Sequence, residues 1–326
     1  MPIILSLTIA MLLTACSSPI QGQTDEPNEE GHPHRHLRYR EETQINGELK
    51  LRPATVPPIT DSKISMSVDG EWRILESNAI SEHNTGEFPN EGNPNTISEQ
   101  PRTHLVPANP KLASKITEGG WVFGLAVNGV PFDPGAGEFY HGNPRLGWMY
   151  DALSGAIDLG FDENHAHVQP EGTYHYHGLP TLLLSDLKLS PEQHSPLIGW
   201  AADGFPIYAV YGHEDGDKAD SEIIAMTSSY RLRSGQRPGG DEPDGEYDGT
   251  FVRDYEYVAG LGTLDECNGR MTVSPDFPDG TYAYFLTEEF PIVPRCFKGN
   301  PSQDFAKGRP PQYFSTDNCK TACCVE

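Results

Sequence analysis

The chain has 326 residues, which is enough for one large domain or two smaller ones. Its formal net charge is −24, from 47 acidic and 23 basic side chains. This balance excludes a protein that binds nucleic acid through a basic surface, because phosphate contacts require clustered Lys and Arg. An acidic chain of this kind is typical of a soluble domain outside the cell.

The first residues are predicted to be an export signal. Residues 1–15 contain an apolar run that is too short to span a bilayer as a mature helix, followed by small residues up to Cys16. The segment LTAC is similar to a bacterial lipobox, which implies cleavage before Cys16 and a lipid on its sulfur. We therefore expect an exported protein whose partner is a bacterial membrane, reached through the N-terminal lipid, with the outer membrane or cell surface favoured.

Composition divides the remainder into three parts. Residues 16–60 are rich in Pro, Glu, Asn and His and lack apolar periodicity, which predicts a disordered tether. A single large domain is predicted over residues 61–300. Residues 301–326 form a cysteine-rich tail in which Cys319 is predicted to pair with Cys323 or Cys324.

Short strands dominate the predicted domain. In ISMSVDGEWRILE apolar residues alternate on both sides of an Asp-Gly, which is the pattern of a β-hairpin. Further strands, each bounded by Gly, Pro, Asn or Asp, are predicted in GWVFGLAVNGVPF, FPIYAVYG, SSYRLRSG, DYEYVAGLG and TYAYFLT. Helices are predicted in LPTLLLSDL and SPEQHSPLIGW, the second with Ser190 as its cap. The fold class is therefore mainly β, with antiparallel sheets and short helices.

One hairpin unit is predicted to occur twice. The segments LGFDENHAHVQPEGTYHYHGLP and LGTLDECNGRMTVSPDFPDGTYAYFLTE share an Asp-Glu and, further on, a Gly-Thr-Tyr. The second copy replaces three histidines of the first: His167, His175 and His177 correspond to Arg270, Ala283 and Phe285. The shared positions indicate scaffold, and the histidines indicate candidate chemistry. Cys267 and Cys296 flank the second copy and are predicted to form a disulfide.

The segment GTYHYHGLP alternates two tyrosines with two histidines. Residues two apart in a strand share a face, so His175 and His177 lie on one face while the tyrosines pack into the core on the other. The preceding QPEG predicts a three-residue loop over residues 170–172. In that register His167 lies opposite His175, and His165 lies opposite His177, with facing Cβ atoms about 5 Å apart.

Four imidazoles on one face predict a metal site. Imidazole is a common ligand for zinc and copper, and three or four rings on rigid strands can close a coordination shell. We predict one copper or zinc ion held by His165, His167, His175 and His177. Candidates for a further ligand, or for orienting a ring, are His141, Asp162, Glu163 and Asp203.

These residues also carry a resemblance to a known family. The chain is similar to YHYH-domain proteins, named for the Tyr-His-Tyr-His present here at residues 174–177, over roughly residues 65–299. Other blocks that carry the resemblance are AVNGVPFDP, GWAADGFPIYAVYG and FPIVPRCFKG. The family has no established activity, so the resemblance implies an exported domain and no particular reaction.

Three functions stay open at this point. The first is a membrane-tethered protein that binds one divalent transition metal through the histidine hairpin. The second is a metal-dependent enzyme, which requires an open coordination position and an acid or base such as Asp203 or Glu163. The third is a surface interaction module whose histidines are structural and hydrogen-bond to the backbone.

Overall fold

Short strands make up most of the regular structure, as predicted. A computed structural model describes residues 47–308. The strands within that range are β1 Ile64–Asp69, β2 Trp72–Ser77, β3 Arg102–Pro107, β4 Thr117–Glu118, β5 Gly124–Ala126, β6 Pro131–Phe132, β7 Ala166–Val168, β8 Tyr174–Tyr176, β9 Gly199–Ala201, β10 Pro206–Ala209, β11 Tyr211–His213, β12 Ile223–Ala225, β13 Tyr230–Leu232, β14 Tyr255–Tyr257, β15 Gly269–Thr272, β16 Thr281–Leu286 and β17 Cys296–Phe297. The α-helix α1 covers Thr181–Asp186, and short 3₁₀ turns cover Tyr140–Gly142, Pro144–Leu146, Val252–Asp254 and Gln303–Phe305.

The largest sheet has eight strands in the order β15-β16-β10-β9-β5-β6-β8-β7. Most neighbours are antiparallel, but β6 pairs with β8, and β10 with β16, in parallel. The sheet is therefore mixed, and antiparallel pairs predominate in it as predicted. A second sheet has the order β1-β2-β3, and its first two strands form the hairpin predicted around the Asp-Gly turn.

The eight-stranded sheet has two halves of the same connectivity. In the first half, hairpin β5–β6 joins hairpin β7–β8 through the parallel β6–β8 pair. In the second half, hairpin β9–β10 joins hairpin β15–β16 through the parallel β10–β16 pair. Strands β5 and β9 pair at the centre. The sequence similarity noted above covers hairpins β7–β8 and β15–β16. Hairpins β5–β6 and β9–β10 form a second related pair, with the turn sequences VNGV and ADGF.

The turns that lead into the two outer hairpins, β7–β8 and β15–β16, contain the same backbone hydrogen bond. His165 N donates to Asp162 O at 2.9 Å, and Asn268 N donates to Asp265 O at 3.0 Å. Both His165 and Asn268 have a positive φ, 53° and 55° respectively. The turn before β7 and the turn before β15 are therefore closed by an aspartate in the same way.

Both ends of the folded part extend beyond the predicted domain of residues 61–300. Arg52 N donates to Phe161 O at 3.0 Å, and Val56 exchanges two backbone hydrogen bonds with Thr85. At the other end Phe305 is buried in the main core. Backbone hydrogen bonds and a bidentate ion pair between Arg52 and Asp158 hold residues 47–60 in place, and neither produces apolar periodicity in the sequence. The predictions for Cys16 and for the three tail cysteines lie outside the described residues.

One of the two predicted helices is correct. The segment LPTLLLSDL contains α1, whereas SPEQHSPLIGW forms only a turn at residues 191–193 before an extended stretch. Pro196 disfavours the helical region at Ser195, whose N–H donates to Tyr211 O instead. No helix among residues 47–308 is long and apolar enough to cross a membrane.

The predicted disulfide between Cys267 and Cys296 is present, across a sequence separation of 29 residues. Opening a loop of this length is expected to lower the free energy of unfolding by about 3–4 kcal/mol. A Cys267→Ser, Cys296→Ser double variant should therefore unfold at a lower urea concentration than the wild type. An unchanged midpoint would show that the bond contributes nothing to stability.

Candidate metal centre

The candidate centre lies on the β7–β8 hairpin, in the predicted register. Gln169 N donates to Thr173 O, and Gly172 N donates to Gln169 O, both at 2.9 Å. Gly172 has a φ of 100°, a backbone conformation that glycine adopts readily. The loop is therefore residues 170–172, and His167 lies directly opposite His175.

His167, His175 and His177 form a compact group, which we call the histidine triad. The Nε2 atom of His177 lies 3.1 Å from Nε2 of His167 and 2.8 Å from Nε2 of His175. The three side chains are buried, with exposed fractions of 8%, 2% and 4% in chain order. Among residues 47–308, this is the group of three His, Cys, Asp or Glu side chains whose ligand atoms lie close enough together to hold one metal ion.

The backbone sets the tautomers of two triad rings. His167 Nδ1 donates to Leu159 O at 2.8 Å, and His175 Nδ1 lies 3.2 Å from Thr173 O. A carbonyl oxygen only accepts hydrogen bonds, so the ring proton is on Nδ1 and each Nε2 presents a lone pair toward His177. This is the arrangement that orients histidine ligands around a metal.

Burial keeps the centre of the triad neutral. The pKa of His177 lies well below its usual range, first because of desolvation and then because of His175 and His167. Lys307 and Arg295 lower it further, and each of these cations is itself paired with a carboxylate. A neutral imidazole is the form that coordinates a metal.

The tyrosines lie on the opposite face, as predicted. Tyr174 and Tyr176 are buried in the main hydrophobic core. The Tyr176 hydroxyl contacts His83 Nε2 at 2.6 Å and Asn128 Nδ2 at 2.8 Å. These contacts fix β8 from behind and so fix the positions of the two histidines that alternate with the tyrosines.

His165, the fourth predicted ligand, does not join the triad. Its backbone has a positive φ, which interrupts the alternation of the strand. Its Nδ1 instead forms a 2.8 Å hydrogen bond with Leu179 O. The backbone still pairs as predicted, since His177 N donates to His165 O at 2.8 Å, but the turn formed by Asp162 directs the His165 side chain away from the triad.

The other four candidates also lie outside the triad, and each has a structural environment of its own. Asp162 Oδ2 accepts hydrogen bonds from Gly86 N at 2.8 Å and from the Tyr174 hydroxyl at 2.7 Å. Glu163 is exposed and accepts from Ala54 N at 3.1 Å. His141 is exposed on a 3₁₀ turn, beside Tyr140.

Asp203 belongs to the second half of the sheet. Its Oδ2 accepts from the Tyr284 hydroxyl at 2.6 Å and from Gly299 N at 2.8 Å. Burial raises the pKa of Asp203 to about 6. Its position corresponds to Asn128 of the first half, and both side chains hold a core tyrosine, so its role in the structure is to anchor strands.

A buried carboxylate that the sequence analysis missed is Asp133. Phe132 pairs with Tyr176, and since successive strand residues alternate in face, Asp133 is placed on the same face as the triad. The Asp133 carboxylate accepts from Lys307 Nζ at 2.7 Å and from Gln169 Nε2 at 3.2 Å. Its position depends on the parallel β6–β8 pairing, which no sequence pattern indicated.

A tetrahedral ion held by the triad would have three nitrogen ligands and one open position. Metal–nitrogen bonds of about 2.0–2.1 Å at tetrahedral angles require the nitrogens to be about 3.3 Å apart. The two Nε2 separations at His177, 3.1 and 2.8 Å, approach this value. Small rotations of the rings would admit one ion. Phe161 stacks on His167 with ring centroids 4.7 Å apart, and so forms an apolar wall beside the site.

Comparison with known proteins gives one match. A family model described as "YHYH protein" matches residues 103–299, a range that includes the triad, Asp133 and both halves of the large sheet. No curated protein and no solved structure matches the chain.

Proposed function

The chain belongs to the YHYH protein family, and we propose that it binds one divalent transition-metal ion, copper or zinc, through His167, His175 and His177. The observation that supports this function best is the convergence of three Nε2 atoms in a buried site. Two of the rings have their protons fixed on Nδ1 by carbonyl groups. His177 Nε2 makes two short nitrogen contacts but carries at most one proton, so a hydrogen-bond network cannot satisfy both contacts. One metal ion would accept a lone pair from each of the three nitrogens.

Elemental analysis tests the proposal directly. Protein purified without a His tag and without added metal should contain about one equivalent of copper or zinc. A demetallated sample should take up one equivalent again. Because the pKa of His177 is lowered, the site should keep its ion as the pH falls through about 6.5, the usual value for imidazole, and release it only at lower pH.

A metal-dependent enzyme is the second candidate, and Asp133 is the observation that favours it. Sites with three protein ligands and one open position are typical of catalytic zinc. A buried carboxylate on the same sheet face, paired with Lys307, would be available to accept a proton from a group bound at that position. Retention of the ion by an Asp133→Asn variant that loses a measured activity would support this candidate.

Attachment to a membrane through Cys16 is part of the proposal. The lipobox-like LTAC supports it, and the polar residues that follow would then separate the domain from the bilayer. The wild-type chain should partition into the detergent phase of a phase-separating detergent extraction, and a Cys16→Ser variant should remain an unlipidated precursor. Recovery of the wild type in the aqueous phase would contradict the lipid anchor.

A further inference from the structure

A second pair of histidines lies in the other half of the large sheet. His194 and His213 are buried, with exposed fractions of 6% and 7%, and their ring centroids are 5.2 Å apart. His194 precedes β9, and His213 ends β11. Neither residue belongs to the histidine triad.

Each of these two rings has a buried nitrogen without a hydrogen-bond partner. The atoms are Nε2 of His194 and Nδ1 of His213. His194 Nδ1 donates to Ser195 O at 2.8 Å, so its Nε2 carries a lone pair. An unsatisfied buried polar atom destabilises the fold, so two of them in neighbouring rings indicate a shared ligand.

The ring spacing fits one shared metal ion. Two imidazoles bound to one ion through bonds of about 2.0 Å, at a tetrahedral angle, have ring centroids about 5 Å apart. The observed value for His194 and His213 is 5.2 Å, and the rings of the triad are 4.7 Å apart in each pair. The pair thus has the spacing of metal-binding rings without the short nitrogen contacts of the triad.

The rings of the pair pack against aromatic side chains, and the charged group nearest to them is Arg270, whose Nη1 donates to His213 O at 3.4 Å and lies 3.8 Å from Met226 Sδ. The His194 ring packs edge-on against Tyr208 at 4.8 Å and lies 6.0 Å from Phe285, which occupies the position of His177 in the second hairpin copy. Burial lowers the pKa of His194, and His213 lowers it further, so the ring is neutral at pH 7. Met226, with a soft thioether, belongs to the same buried cluster as Tyr208 and Phe285.

We propose that His194 and His213 form a second metal site, which takes one copper(I) ion. Two nitrogen donors alone cannot complete the four-ligand shell of zinc or offset a double charge. Copper(I) carries a single charge and is stable with three ligands, at N–metal–N angles of about 110–120° that match the ring spacing of 5.2 Å and leave one position for a further ligand. Soft surroundings of this kind also favour copper(I) over harder ions. This site is independent of the triad, and the proposal stands whether or not the triad binds a metal.

The test counts copper(I) equivalents bound by the full chain at equilibrium, with ascorbate as reductant and a copper(I) chelator as competitor. A His194→Asn, His213→Gln double variant removes the two unpartnered nitrogens, and the Asn amide can keep the bond to Ser195 O. This variant should bind one equivalent less than the wild type. A His175→Ala, His177→Ala variant should retain the equivalent that the His194 and His213 pair binds.

The matched control is His104→Leu. His104 is also buried and also has an unpartnered Nδ1, but its ring stacks on Phe305. This variant should bind as many equivalents as the wild type. If the His194→Asn, His213→Gln variant binds as much copper(I) as the wild type, the pair encloses water and the proposal is overturned. Near-ultraviolet circular dichroism of each variant verifies that it is folded, and His194→Asn alone serves if the double variant is not.

Discussion

Replacement of His175 and His177 together with alanine is expected to abolish binding of the divalent ion, with a loss of at least about 100-fold in affinity. Removal of a group that merely orients a histidine ligand already costs about 10–100-fold. The double variant removes two of the three nitrogens, including the central one that lies within 3.1 Å of both other Nε2 atoms. Titration of the demetallated protein with zinc and copper(II), against a chelator of known affinity, measures the loss.

His165→Ala is the matched control for this experiment. His165 belongs to the same hairpin and also has an imidazole, but its Nδ1 is bonded to Leu179 O and its ring lies outside the triad. The variant should keep full uptake of one ion. Tight uptake of one ion by the His175→Ala, His177→Ala variant would exclude the triad as the binding site and favour structural histidines.

Local sequence signals predicted the hairpin that forms the site. The QPEG loop and the alternation of Tyr and His fixed both the loop of residues 170–172 and the pairing of His167 with His175, because register in a short hairpin depends on turn length alone. The same reasoning failed at His165. A strand ends where its backbone leaves the extended region, and the turn formed by Asp162 rotates His165 out of the alternation.

The pairing of strands that are distant in the chain could not be predicted from local sequence patterns. The parallel β6–β8 and β10–β16 pairs join segments that are far apart in the chain, and each contact depends on the packing of the whole sheet. Asp133 lies in AVNGVPFDP, a segment that carries the family resemblance, but no local pattern places it beside the triad. The first copy of the repeated hairpin drew attention to the triad, whereas His194 and His213, which come from different elements, gave no local pattern.

The face behind the triad is expected to determine the stability of the domain. Tyr176 is fully buried, and its hydroxyl lies between two polar partners. His83 Nδ1 donates to Asn84 O, so His83 Nε2 accepts from the Tyr176 hydroxyl, whose oxygen in turn accepts from Asn128 Nδ2. Each polar atom in this series of hydrogen bonds therefore has its partner.

Tyr176→Ala is therefore expected to lower the free energy of unfolding by about 3–5 kcal/mol through the cavity, and by about 1–3 kcal/mol more through the unpaired His83 and Asn128. Tyr176→Phe keeps the ring and should show only the second loss. Urea denaturation measures both losses. Tyr257→Phe, at a half-buried position on β14, is the control, and its free energy of unfolding is expected to change by less than about 0.5 kcal/mol.

Because the triad lies on the other face, folded Tyr176→Phe should still bind one ion. A Tyr176→Phe variant as stable as the wild type would show that the hydroxyl contacts contribute nothing, and that the apolar ring alone holds β8 in place.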